Sequence, residues 1–276
     1  MSFFGSGRGI ALPPVVKNII IINIIIFAIT WLPVGLTNFM YRHFALFSVK
    51  SPLFEPQQIF THIFMHAGFA HIFFNMFGVF MFGKILEQVW GSKKMLFFYI
   101  ATGIGAALCH LTVNYLQMNN LTSLIAQFNE SPSYTVFNQI VTKYGSRTSN
   151  YDEIVNFMQQ WFYKTDDLSF VTQAKGYISE ILYPGNLNIP MVGASGALFG
   201  LLIAFAMMFP DVELMMIFLP IPIKAKYFVP FYALLELFFG VADFRWDNIA
   251  HFAHLGGALF GFIIVKIWKR NQFMIY

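Results

Sequence analysis

The chain has 276 residues, of which 57% are hydrophobic and only 11% charged, and its mean hydropathy is +0.62. Soluble domains are about a quarter charged, so this chain has too little polar surface to cover a water-soluble globule of its size. Long apolar runs in place of short alternating segments exclude a β-barrel and indicate an all-α integral membrane protein. The formal charge of +4 is informative by position rather than by sum. The lone cysteine, Cys109, has no partner for an internal disulfide.

Six apolar segments are predicted to cross the membrane. The first, residues 18–34, follows Arg8 and Lys17 and ends at Trp31, Leu32 and Pro33 without a small-x-small cleavage site, so it reads as an uncleaved span. The stretch 35–58 is semi-polar and aromatic and is expected to lie in the interface. The second span, 69–89, is preceded by a shorter apolar stretch from Ile59, and the third covers 95–116. Residues 117–190 then form a long connection carrying Glu130, Asp152, Glu153, Asp166, Asp167 and Glu180. A structureless loop of that length is unusual, and two helix starts are visible in it. One is Ser131-Pro132-Ser133; the other is the capping-box pattern from Asn150 to Glu153, opening a helix through Trp161. A small helical cap over the outer face is expected. The fourth, fifth and sixth spans are 193–209, 227–242 and 249–267. Helices need ~20 residues to cross a bilayer, so the shortest of these require tilt or local thinning.

Positive charge sets the orientation. With the N-terminus inside, the inner side carries Arg8, Lys17, Lys84, Lys93, Lys94, Lys224, Lys226, Lys266, Lys269 and Arg270, and the short outer loops carry only Arg42, Lys50 and Arg245. The expectation is N-in and C-in: a single domain over 1–276 with an extracytoplasmic insertion at 117–190.

Three motifs carry chemistry. Gly193-Ala194-Ser195-Gly196-Ala197 opens the fourth span, where small residues leave Ser195 Oγ unobstructed beside free backbone N–H groups. By itself this pattern is also the usual packing device of membrane helices. In the sixth span, His254 shares a face with Gly257 and Gly261, so a histidine lies at a close helix contact. An intramembrane histidine is a functional candidate, or else a structural hydrogen bond to a neighbouring helix. Both spans enter from the outside, so Ser195 and His254 lie at similar depth, and a serine hydroxyl needs such a base. No acidic residue is near His254 in sequence: Asp243 and Asp247 fall in a loop and Glu236 in mid-span, so a dyad is more economical than a triad. His71 and Asn75, four apart on the second span, are candidate donors to an oxyanion. His66 points elsewhere and is expected to tie the outer loop down by hydrogen bonds. A metal site is disfavoured. His62/His66 and His251/His254 have helical spacing, but no HExxH is present, and no cysteine or acidic ligand is evident at this depth.

Taken together, His71/Asn75, Gly193/Ser195/Gly196 and Ala253/His254/Gly257/Gly261 resemble the rhomboid family of intramembrane serine proteases, over residues 15–116 and 190–270. Gly83, Glu87 and the stretch from Pro220 to Lys224 fit the same family. The resemblance implies a six-helix bundle and cleavage of transmembrane protein segments near the outer surface. Ser195 is then the nucleophile and His254 the base, with His71, Asn75 and the Ser195 N–H on the oxyanion. It further implies that Phe199 packs on the histidine and that the fifth span gates entry. The partners implied are membrane-protein substrates and the bilayer; no cofactor, metal or nucleic acid is expected, and the bacterial cytoplasmic membrane is the expected location. Gln57-Gln58 replaces the Trp-Arg of many bacterial members, which bears on how the first outer loop is anchored. The alternative is a catalytically silent, rhomboid-like binder of membrane proteins. Paired ionisable groups along a pathway and an internal repeat, the marks of a transporter, are lacking.

Overall fold

A computed structural model describes residues 12–31, 35–148, 150–164, 167–216, 219–242 and 249–273. Arg8, the end of the first span at 32–34, Asp166, Asp243, Arg245 and Asp247 lie outside the described residues. The helices are α1 (Pro14–Trp31), α2 (Leu36–Phe44), α3 (Gln58–Thr61), α4 (Phe69–Trp90), α5 (Ser92–Glu130), α6 (Tyr134–Tyr144), α7 (Tyr151–Phe162), α8 (Leu168–Tyr177), α9 (Ser195–Met208), α10 (Ala225–Ala242) and α11 (His251–Phe273). Within α4 a π turn, Val79–Gly83, interrupts the ladder, and α8 runs on through another, Ile178–Leu182, into a last turn, Tyr183–Leu187.

Five of the described helices, α1, α4, α5, α10 and α11, are long and apolar enough to cross a membrane. The predicted fourth span is shorter than expected: α9 has 14 residues, about 21 Å of helix against a hydrocarbon core of ~30 Å. It starts late because Gly193 sits at φ 124°, outside any helix. Its length is less important than its position, since it is buried on nearly every side. Leu201, Leu202 and Phe205 join Val16, Met76, Val79, Leu86, Met95, Phe98 and Tyr99 in the main apolar core. By contrast α1 exposes Ile21, Ile22, Ile24, Ile25 and Ile29, and α10 exposes Phe231, Leu234, Leu237, Phe238 and Val241, the apolar outer surfaces that a lipid-facing helix presents.

Small residues let α5, α9 and α11 approach closely, the usual basis of helix association in lipid. A Cβ added to Gly257 would sit 1.9 Å from the Gly196 carbonyl oxygen, and one on Gly261 would sit 2.9 Å from the Gly200 Cα. The two backbones therefore touch along the start of both helices.

Two polar devices fasten the bundle ends. On α4, Glu87 is 3% exposed and accepts hydrogen bonds from the Val15 and Val16 N–H groups at 3.0 and 2.8 Å and from the Ser92 hydroxyl at 2.7 Å. It caps the first turn of α1, whose N–H groups have no partner within the helix. Glu87→Ala is expected to destabilise the protein by about 2 kcal/mol, read as a lower thermal midpoint in detergent. Where the loop after α2 enters α3, Gln58 is fully buried; its amide donates to the Arg42 and Leu53 carbonyls at 3.1 and 2.9 Å and accepts from the Phe47 N–H at 3.3 Å. Glu55 closes the same loop on Arg42 and His43, and the His43 ring foremost holds its carboxyl below the ordinary carboxylate range. The loop without Trp-Arg is thus anchored by its own polar interior.

Residues 117–190 are largely helical, with two differences from the expected helix boundaries and caps. The third span does not stop near residue 116: α5 runs unbroken for 39 residues, because no glycine or proline interrupts 117–130 and Met118, Leu121 and Phe128 are buried along it. α6 opens at Ser133, whose hydroxyl accepts from the Val136 N–H at 3.4 Å. α7 begins where the spacing predicts, but the Asn150 amide donates to the Glu153 carboxylate at 3.0 Å rather than capping the backbone. Trp161, 1% exposed, stands at the centre of a separate apolar core with Phe128, Phe137, Phe157 and Phe170. Among the described residues the all-α expectation is broken by an antiparallel hairpin of β1 (Glu213–Met216) and β2 (Leu219–Lys224) with Glu213 opposite Lys224.

Candidate active site

Ser195 is the first residue of α9. The N–H groups of its first turn precede the first ladder bond, from the Leu198 N–H to the Ala194 oxygen at 2.9 Å, so they point toward the chain entering the helix. That chain is held from outside. Met191 and Leu46 exchange backbone hydrogen bonds at 2.9 and 2.8 Å, and the Gly193 N–H donates to the His62 carbonyl at 2.9 Å. His62 itself is buried, and its ring bonds the Gln58 carbonyl at 2.9 Å.

His254 lies one turn into α11. The Ser195 hydroxyl is 2.8 Å from its Nε2, the contact that sequence depth anticipated. Phe199, one turn along α9, stacks on the imidazole with ring centroids 4.4 Å apart and planes 9° from parallel, as the family resemblance implied. Gly196, Gly257 and Gly261 supply the backbone contact that keeps the two helices at this distance.

His71 and Asn75 flank Gly193. A Cβ on Gly193 would lie 2.7 Å from His71 Nε2 and 3.7 Å from Asn75 Nδ2, and φ 124° disfavours any side chain there. The hollow left by the missing side chain is therefore bordered by two nitrogens. The Ala67 N–H donates to His71 Nδ1 at 3.3 Å, so Nδ1 accepts and the proton resides on Nε2, facing the hollow. The Asn75 amide nitrogen is buried and has no hydrogen-bond partner among the described residues. Two donors directed at one small space beside a serine hydroxyl are an arrangement that can stabilise an oxyanion.

His66 departs from expectation. Its ring nitrogens have no hydrogen-bond partner among the described residues, and the ring packs edge-on to His71 with centroids 5.1 Å apart. It ties the loop through its backbone, whose carbonyl accepts from the Trp31 indole at 3.1 Å. Burial, and then the neighbouring His71, push the His66 imidazole down to about 3, so it is neutral at ordinary pH.

Sequence reasoning passed over Glu236. The carboxylate lies on α10, 5% exposed, and its Oε2 accepts from His254 Nδ1 at 2.8 Å and from His251 Nδ1 at 2.6 Å. The Ser195–His254 pair thus has a carboxylate on the second nitrogen of the imidazole. The signal was present, since an acid inside an apolar span is a functional candidate by default, but its partner belongs to another helix. Glu236, His251 and His254 also form a set of potential metal ligands whose ligand atoms lie within 4.8 Å of one another. Separations of 2.6 and 2.8 Å are hydrogen-bond lengths, shorter than the roughly 3.3 Å between two ligands of one tetrahedral zinc.

Comparison with known proteins gives a match to the rhomboid domain family over residues 54–125 and 155–271, more than half of the chain. The chain is 34% identical to "Rhomboid protein 1, mitochondrial" of Saccharomyces cerevisiae over 87 residues, 30% of this chain and 25% of that protein. It is 22% identical to an uncharacterized mitochondrial rhomboid protein of Schizosaccharomyces pombe over 216 residues, 76% of this chain and 51% of that protein. The chain thus spans between a quarter and about half the length of these relatives. Both are mitochondrial by name, so the expected bacterial cytoplasmic membrane finds no support in them.

Proposed function

Since this chain belongs to the rhomboid family, we propose that it is an intramembrane serine endopeptidase that cuts transmembrane segments of membrane proteins near the outer surface of the bilayer. The observation that carries this reading is the 2.8 Å hydrogen bond from Ser195 to His254, next to a hollow bordered by two donors.

The chemistry follows from that geometry. Ser195 Oγ attacks the scissile carbonyl carbon as its proton passes to His254 Nε2. The carbonyl oxygen becomes an oxyanion in the hollow at Gly193, where His71 Nε2–H, Asn75 Nδ2–H and the Ser195 N–H donate to it. His254 then returns the proton to the leaving amine, and water hydrolyses the acyl-enzyme by the reverse steps. Six crossings with both termini inside are supported by the ten-to-three charge bias of the short loops, with α9 completing the set as a short buried helix. α10 serves as the substrate gate, because its outer face is the least packed of the long helices. Intact Ser195, His254, His71 and Asn75 argue against the silent-binder alternative, which needs none of their alignment.

A fluorophosphonate probe tests the nucleophile directly. Labelling is expected at Ser195 of the wild-type protein, with loss of at least about a hundredfold in rate in His254→Ala. Labelling elsewhere, or at an unchanged rate without His254, contradicts the assignment.

The insertion is proposed to control substrate access. It returns to the bundle immediately before Gly193, and it is bonded to the first outer loop through Ser51 to Asn188 at 2.6 Å and through Lys50 to Asn119. Deleting it is expected to change turnover or substrate choice while Ser195 still reacts with the small probe. Unchanged cleavage of every substrate would reject that role.

A further inference from the structure

The buried cluster on the far side of the catalytic histidine has a role of its own. α10 comes close to α11 at Gly240, where a Cβ would lie 3.0 Å from the His251 Cβ. Glu236 is four residues earlier on the same face of α10, so this close approach brings its carboxylate onto α11. There a single oxygen, Oε2, meets both His251 Nδ1 and His254 Nδ1. His251 is stacked on Phe239 with centroids 5.9 Å apart, and both histidines are buried. A bare carboxylate at this depth is costly, and the usual remedy is a pair of well-placed donors.

We infer that Glu236 is a positioning residue for proteolysis: it fixes the orientation and tautomer of His254, and His251 holds Glu236 in place for that task. An ionised carboxylate only accepts, so each imidazole that bonds it carries its proton on Nδ1. For His254 this leaves Nε2 as a lone pair facing Ser195. When Nε2 takes the serine proton, the charges of Glu236 and of the imidazolium compensate each other, and Glu236 itself takes no proton. His251 occupies a second lone-pair direction of Oε2 and prevents the carboxylate from turning away from His254. The arrangement also couples α10 to the chemistry: if α10 is the gate, its displacement removes Glu236 from His254.

This inference rests on the serine protease reading above, and the test separates the two. Glu236→Gln, Glu236→Asp, His251→Gln, Ser195→Ala and His254→Ala are made in the full chain, and cleavage of a labelled transmembrane peptide is followed in lipid vesicles. Glu236→Gln is expected to lower kcat at least about a hundredfold with KM changed less than about threefold, because an amide NH₂ donates to the Nδ1 lone pair and so favours the wrong tautomer, with the proton on Nε2. Glu236→Asp is expected to recover at least about tenfold of that loss, and His251→Gln to cost kcat about tenfold. If Glu236→Gln also lowers the thermal midpoint, Glu236→Asp decides: recovery supports positioning, and no recovery overturns it. A Glu236→Gln protein within about threefold of wild-type kcat, in preparations where Ser195→Ala and His254→Ala are inactive, overturns this inference and leaves the protease reading intact. Cleavage by Ser195→Ala overturns the protease reading itself.

Discussion

Gly257→Ala is expected to slow proteolysis about a hundredfold without touching a single reacting atom. The new Cβ would lie 1.9 Å from the Gly196 carbonyl oxygen, and relieving that clash means moving α11 away from α9 by more than ~1 Å at the point where His254 meets Ser195. A displacement of that size costs about a hundredfold in rate when reacting groups lose alignment. The 2.8 Å hydrogen bond cannot be kept, and the stacking of Phe199 on His254 opens with it. Gly261→Ala provides the graded control. Its Cβ would lie 2.9 Å from Gly200, about one turn further from the site than Gly257, so a smaller loss, on the order of tenfold, is expected. Both are measured as vesicle cleavage and as the rate of fluorophosphonate labelling at Ser195. Equal, near-wild-type rates in both variants would contradict the close-contact account.

Asn75→Ala is expected to lower kcat by about 10²–10³-fold while leaving stability unchanged or higher. The loss follows from removing one preorganised donor to the oxyanion. The stability expectation follows from the buried amide nitrogen of Asn75, which has no hydrogen-bond partner among the described residues. A buried donor left unpaired is a cost in the resting protein, so its removal relieves strain where loss of an ordinary core polar group would add it. Activity lost with stability kept is the mark of a group maintained for the transition state. A wild-type kcat in Asn75→Ala, or a large drop in thermal midpoint, would assign Asn75 a structural role instead.

The parts of this molecule that the sequence made legible are those set by local periodicity and by charge. The apolar runs gave the long helices, and the spacing of His254, Gly257 and Gly261 gave the face on which α11 meets α9. Span counting brought Ser195 to the depth of His254 across 59 residues of chain. What the sequence hid depended on contacts between elements. α9 begins at Ser195 because Gly193 adopts φ 124° against His71, and an apolar run from 193 onward does not show that. α5 overruns its predicted end because the residues after 116 bury one face in the core around Trp161. The anchoring of the loop between α2 and α3 by a buried Gln58 amide depends on the carbonyls of Arg42 and Leu53. Glu236 was visible as an acid in an apolar helix, yet nothing in the sequence says that Gly240 brings it to His254.

The central claim is that one hydroxyl, on Ser195, does the chemistry with one base, His254. Purified protein is reconstituted in lipid vesicles with a fluorescently labelled transmembrane substrate, and product is quantified for wild type, Ser195→Ala and His254→Ala. Cleavage at a single position near the outer end of the substrate helix, absent in both variants, is the predicted result. Product formed at wild-type rate by either variant contradicts the account.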